Sequence, residues 1–210
     1  MAEWYRRKSW TKTDEEEFFA KLARARKEGR AQYLKIQAIE LVETEDKTLL
    51  KVAETLLNKM LSEYSNEGFE KGSAFHTLGD IYKLNDNYEL AIDFYKQALD
   101  FETIYSNVIT QAYLDYSELV IKTGKENLFD EVEKLLLDRY SELTFPIEKY
   151  KVNSILSIIN ANKGRQEQAL QYADIAEQFA TAETSGLRYH KYLGIVKERD
   201  TWLDKLVRKK

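Results

Sequence analysis

The sequence predicts an all-α fold in which helices pair through short polar turns, and three observations carry that expectation. Eight Gly and one Pro in 210 residues are too few for a strand-rich chain with its many turns. Apolar residues recur at three- and four-residue spacing along most of the length. Small or apolar residues also return at intervals close to forty, at Ala53, Ala91, Val132 and Ala169. A chain of this size makes one or at most two domains and can bury a substantial core.

The first helix is expected after Thr13-Asp14-Glu15-Glu16, a capping-box sequence, with Phe18, Phe19 and Leu22 on one stripe. Arg24, Arg26 and Lys27 suit its last turn, and Gly29 its end. A second run over about 31–43 places Leu34, Ala38 and Leu41 on one face. Thr44-Glu45-Asp46 breaks it before a third helix with Leu49, Leu50, Ala53, Leu57 and Met60. Gly124 and Gly164 mark later turns. Phe129, Val132 and Leu136, then Ala169, Ala173 and Ala176, form further apolar stripes, and Pro146 suits a helix start. Tyr192, Leu193 and Val196, followed by Trp202, Leu203, Leu206 and Val207, predict closing helices near the C-terminus, with Lys205, Arg208, Lys209 and Lys210 as solvated cations.

The most specific segment is Phe75-x2-Leu78-Gly79-x2-Tyr82, then Asn85-Asp86-Asn87, then Ala91-x3-Tyr95-x2-Ala98. Gly79 and Ala91 are small where two helices would cross, and Tyr82 and Tyr95 fill the space beside them. This pattern resembles the tetratricopeptide (TPR) repeat, whose helix A carries a bulky residue, Leu-Gly and Tyr, and whose helix B carries Ala and an aromatic. The intervals of 38, 41 and 37 between the small residues exceed the usual ~34, and the family's closing Pro is absent. The resemblance implies a right-handed superhelical array of antiparallel helix pairs, a TPR-like solenoid. Its organisation would be an N-terminal basic and aromatic segment with a capping helix over 1–30, about four helix pairs over 31–181, and C-terminal capping helices over 182–210.

Composition excludes several function classes. With no Cys there is neither a disulfide framework nor a thiolate metal site. No apolar run reaches the ~18 residues of a membrane span. The basic start at Arg6-Arg7-Lys8 is followed by no apolar stretch, so a cytoplasmic protein without a signal peptide is expected. With two His, and no nucleophile, metal or phosphate-loop motif, the expectation is a protein that is not an enzyme and uses no cofactor or metal.

The net charge of −4 is unevenly spread. Residues 1–30 carry nine Lys/Arg against six Asp/Glu, residues 188–210 eight against three, and residues 31–187 fifteen against twenty-seven. An acidic body with basic ends steers association rather than fold. Trp4, Tyr5 and Trp10 interleaved with Arg6, Arg7 and Lys8 have the ingredients of a nucleic-acid platform. The acidic body repels phosphates, so the favoured reading is an apolar anchor folding back on the first helix with solvated cations.

In a stack of helix pairs, one face of each helix A packs inward and the other lines the concave groove. That geometry places His76, Asp80 and Lys83 toward the groove in the second pair, Gln111, Asp115 and Glu118 in the third, and Tyr150, Asn153, Ser157 and Asn160 in the fourth. Asn is a poor helix-interior residue, and its carboxamide can pair with a peptide backbone. Peptide-sensing TPR regulators have such grooves, whereas chaperone-tail binders of the family use Lys, Asn and Arg to clamp a carboxylate. Asp80, Asp115 and Glu118 oppose a carboxylate clamp. The resemblance therefore implies a protein- or peptide-binding scaffold for a basic or neutral segment. The alternative is a regulatory domain whose superhelix changes pitch on binding a small peptide or metabolite.

Overall fold

The computed structural model describes residues 3–64 and 68–207. Among these residues there are ten α-helices and no strand. The chain forms two compact units, Met1–Ala112 and Tyr113–Lys210.

In the first unit, α1 (Lys12–Arg24) starts two residues earlier than its sequence suggested. Thr11, not Thr13, is the N-cap: its hydroxyl accepts from the Asp14 amide at 3.2 Å, and the Asp14 carboxylate accepts from the Thr11 amide at 2.8 Å. Two orphan donors are thereby satisfied reciprocally. These bonds from Thr11, with the guanidinium of Arg7, hold the Asp14 carboxyl down at about 2. The helix ends at Arg24, and Gly29 does not terminate it: Gly29 closes a 3₁₀ turn (Lys27–Gly29) and stands at the N-cap of α2 (Arg30–Val42).

Helix α2 pairs with α3 (Lys47–Glu63), whose N-cap Asp46 accepts from the amides of Thr48 and Leu49 at 2.8 and 3.0 Å. Helix α4 (Lys71–Leu84) pairs in the same way with α5 (Tyr88–Ile104), whose N-cap is Asn87. Phe18, Leu34, Leu41, Leu50, Leu57, Met60, Leu78 and Ile81 make the core between these helices. Gly79 is buried where α4 meets α5, and a Cβ there would overlap the Tyr95 ring. The ring itself is fully buried, and its hydroxyl donates to Asp80 Oδ1 at 2.8 Å.

The second unit holds α6 (Ala112–Lys122), α7 (Phe129–Asp138), α8 (Pro146–Asn162), α9 (Gln166–Ala180) and α10 (Thr201–Val207). Tyr116, Val120, Phe129, Val132, Leu136, Val152, Ile155, Leu156 and Ile159 are buried. The Tyr116 hydroxyl of α6 donates to Glu131 of α7 at 2.8 Å. Pro146 occupies the first turn of α8 as expected. Of the closing helices expected over 182–210, the described residues hold α10 alone. The path from Ala180 to Thr201 is irregular, Gly186 and Gly194 sit at positive φ, and Tyr192 and Leu193 are exposed. Seven residues make a helix too short to hold itself in water. The fully buried Leu203 and the Tyr150–Asp204 bond dock it on α8. Arg208, Lys209 and Lys210 lie outside the described residues.

A repeated device turns the chain between successive helices. The turns after α2, α4, α6 and α8 each place one residue in the left-handed region: Glu45 (φ 56°), Asp86 (59°), Gly124 (66°) and Gly164 (74°). After α4, α6 and α8 the next amide also reaches back across the turn, Asn87 to Tyr82, Lys125 to Val120 and Arg165 to Asn160, at 2.9–3.1 Å. These are Schellman closures, which satisfy carbonyls left over at a helix end.

Candidate functional site

The first unit contains an open cleft of about 490 Å³ between α2 and α4. Its register follows from packing. Helix α2 buries Leu34, Ala38, Leu41 and Val42; Ile39, the edge of Val42 and, beyond the helix end, Glu43 and Glu45 line the cleft. Helix α4 buries Ala74, Leu78 and Ile81 and presents Ser73, His76, Thr77, Asp80, Lys83 and Leu84. Ile39, Val42 and Leu84 supply an apolar lining, and three carboxylates share the rim with His76 and Lys83.

Several of these side chains are preset. Asp80 is oriented by the Tyr95 hydroxyl, and the His76 ring lies 5.6 Å from the Tyr95 ring, with its Nε2 4.0 Å from Asp80 Oδ1. The Thr77 hydroxyl is committed to the Ser73 carbonyl at 2.8 Å, an ordinary back-bond within a helix. Glu43 meets Lys8 Nζ at 2.8 Å from outside the cleft. An apolar lining with fixed carboxylates suits a chain segment carrying both cations and aliphatic groups.

Of the ten sequence-predicted groove residues, His76, Asp80 and Lys83 come together here. Gln111 is exposed at the end of the first unit, and Asp115 is half-buried on α6. Glu118 is engaged within the second unit by Lys151 at 2.7 Å, which also lies 3.4 Å from Asp200.

The fourth-pair expectation is corrected. Tyr150, Asn153, Ser157 and Asn160 are buried inside the second unit. The Tyr150 hydroxyl donates to Asp204 at 2.9 Å, and Ser157 donates to the Ala169 carbonyl at 2.7 Å. Asn153 donates to the Lys149 carbonyl and accepts from the Tyr140 hydroxyl, at 2.7 and 2.8 Å. Asn160 donates to the Leu156 carbonyl at 2.7 Å. The physical reason is coverage: α7, α9 and α10 all pack on α8, so it has no face left for a groove.

Ile39, Val42 and Leu84 escaped the sequence reading. Val42 lies at the edge of the Leu34–Ala38–Leu41 stripe and belongs to the core, whereas Ile39 stands off that stripe. The N-terminal segment also differs from its expected form. Trp4, Tyr5 and Trp10 do pack back on the first unit, but Arg6, Arg7 and Lys8 are not merely solvated. They pair with Glu40, Asp14 and Glu17, and Glu43 respectively.

No family model, curated protein or solved structure matches the chain. Among the described residues, no helix is long and apolar enough to cross a membrane.

Proposed function

We propose that this chain is a non-catalytic, cytoplasmic binding protein, a TPR-like array that takes a basic or neutral segment of a protein or peptide into the cleft between α2 and α4. The observation that carries this reading is the cleft itself: an apolar lining rimmed by Glu43, Glu45 and Asp80, against one Lys and one His. Such a rim favours cations and penalises an acidic segment through like-charge approach. The four left-handed turns, about forty residues apart, support a repeated helix-pair plan. The second unit's buried Asn residues give no support to a groove running along α8, so the binding surface is assigned to the first unit.

The test is a set of fluorescent eight-residue peptides alternating Leu with Lys, Gln or Glu, titrated by anisotropy at low and physiological salt. The Lys peptide binds best and weakens as salt rises, because exposed charges are screened over ~8 Å at physiological ionic strength. Glu43→Lys and Ile39→Ser each weaken it at least tenfold without changing the melting temperature. Equal binding of the Glu peptide, or indifference to both substitutions, refutes the reading.

A further inference from the structure

Residues 3–10 lie on the first unit in the manner of a bound peptide. Gln37 of α2 is fully buried, and its carboxamide is spent on a main chain rather than on a neighbouring side chain. Its Oε1 accepts from the Arg7 amide at 3.0 Å, and its Nε2 donates to the Arg7 carbonyl at 2.7 Å. This two-point pairing reads the main chain and is blind to the side chain it carries. Side-chain recognition is supplied around it. Arg6 reaches Glu40 at 2.7 Å and Lys8 reaches Glu43 at 2.8 Å, while Arg7 is forked between Asp14 and Glu17. Trp4 lies against Phe18 and Tyr33 with ring centroids 5.3 and 5.0 Å apart, and Trp10 lies against Phe18 at 5.3 Å.

We propose that this face of α1 and α2 is a receptor surface for basic–aromatic segments, and that residues 3–10 are its resident occupant, which a segment of the same chemistry from another protein displaces. Charge complementarity sets the partner's chemistry: consecutive cations over carboxylates of two helices, flanked by aromatic anchors for Phe18 and Tyr33. The ion pairs around Arg6 and Lys8 are solvent-exposed and individually weak, which makes the occupant exchangeable. The surface is distinct from the cleft, on another side of α2, and touches it only through Glu43.

The probe is a fluorescent synthetic peptide, Glu-Trp-Tyr-Arg-Arg-Lys-Ser-Trp, titrated with the full chain by anisotropy. In the wild type the resident segment competes at an effective concentration of roughly millimolar or more, so the probe binds weakly. Arg7→Ala, and separately Arg6→Ala with Lys8→Ala, loosen the occupant and leave the receptor side chains intact. Both chains are expected to take up the probe at least tenfold more tightly, and to be cut faster by trypsin at the cations left in the segment, with the helical circular-dichroism signal unchanged. Gln37→Leu in either background returns binding to the wild-type level, and a scrambled peptide of the same composition does not bind. The proposal fails if the loosened chains bind no better than wild type, if the scrambled peptide binds equally, or if neither variant loosens the segment.

Discussion

Replacing Gly79 by Ala adds a single methyl group where α4 and α5 meet in the first unit. The new Cβ would overlap the Tyr95 ring, and that ring has no exit, being fully buried and tied by its hydroxyl to Asp80 at 2.8 Å. Overpacking at such a site costs about 1–3 kcal/mol. A ring forced aside also strains a hydrogen bond to a charged acceptor, a class worth about 1.5–3 kcal/mol when lost outright. Against this stands about 1 kcal/mol gained because Ala is the better helix former. The balance is a loss of about 2–3 kcal/mol. Urea unfolding followed by circular dichroism measures it, and a double-mutant cycle with Tyr95→Leu identifies the cause. Once the ring is gone the methyl has room, so the double variant should be less destabilised than the sum of the singles by about 1 kcal/mol or more. A Gly79→Ala chain as stable as wild type, or strictly additive energies, would refute the crossing geometry.

Three further outcomes follow from the same coordinates. Glu45→Gly should stabilise the chain by about 1 kcal/mol, because Glu45 holds a left-handed conformation that costs a side-chain-bearing residue about that much; an unfolding midpoint that falls would contradict it. Asn153→Ala should destabilise by about 1–3 kcal/mol, since it removes the acceptor of the half-buried Tyr140 hydroxyl and empties a fully buried site, whereas a solvated groove residue would cost almost nothing. Stability should also decline in alkali. The Glu54 carboxylate that accepts the Tyr82 hydroxyl raises that phenol to about 12, and burial raises Tyr113, Tyr116 and Tyr150 as well. The folded state thus keeps protons that the unfolded chain releases near 10, so this contribution is complete below pH 10 and lost as pH climbs through 12. Melting temperatures from pH 8 to 12 should fall, and fall less steeply in Tyr82→Phe; a flat profile would overturn the assignment.

The helices were legible where local pattern and packing agree. The stripes at Leu34–Ala38–Leu41 and Leu50–Ala53–Leu57 bury as their spacing requires, and Gly124 and Gly164 announce their turns because a glycine there has few other purposes. The breaks at Thr44-Glu45-Asp46 and Asn85-Asp86-Asn87 were legible too, but not that Glu45 and Asp86 would be the residues at positive φ. Gly79 and Tyr82 pin the register of α4, and His76, Asp80 and Lys83 fall together on the side of it that lines the cleft. The α8 stripe was misread for a non-local reason: whether Asn153 and Asn160 meet water depends on Tyr140 and on a C-terminal segment more than forty residues away. Burial of that kind is a property of the folded chain, and no periodicity within α8 records it. The cap of α1 failed on a smaller scale, where two overlapping Thr-x-x-acid patterns compete and only Thr11 has Asp14 to answer it.

Glu43 belongs to two surfaces, with Lys8 on one side and the cleft on the other. One carboxylate neutralises one cation well and two poorly. While Lys8 sits there, the cleft presents one negative charge fewer, and a cation settling in the cleft weakens the hold on Lys8 by the same free energy. Thermodynamic linkage makes that exchange reciprocal whatever its size. The bond is exposed, so the transaction is small and is erased by salt. The molecule therefore carries a one-electron-charge balance between its own N-terminal segment and anything cationic that approaches α2 from the far side, and ionic strength sets how strongly each side senses the other.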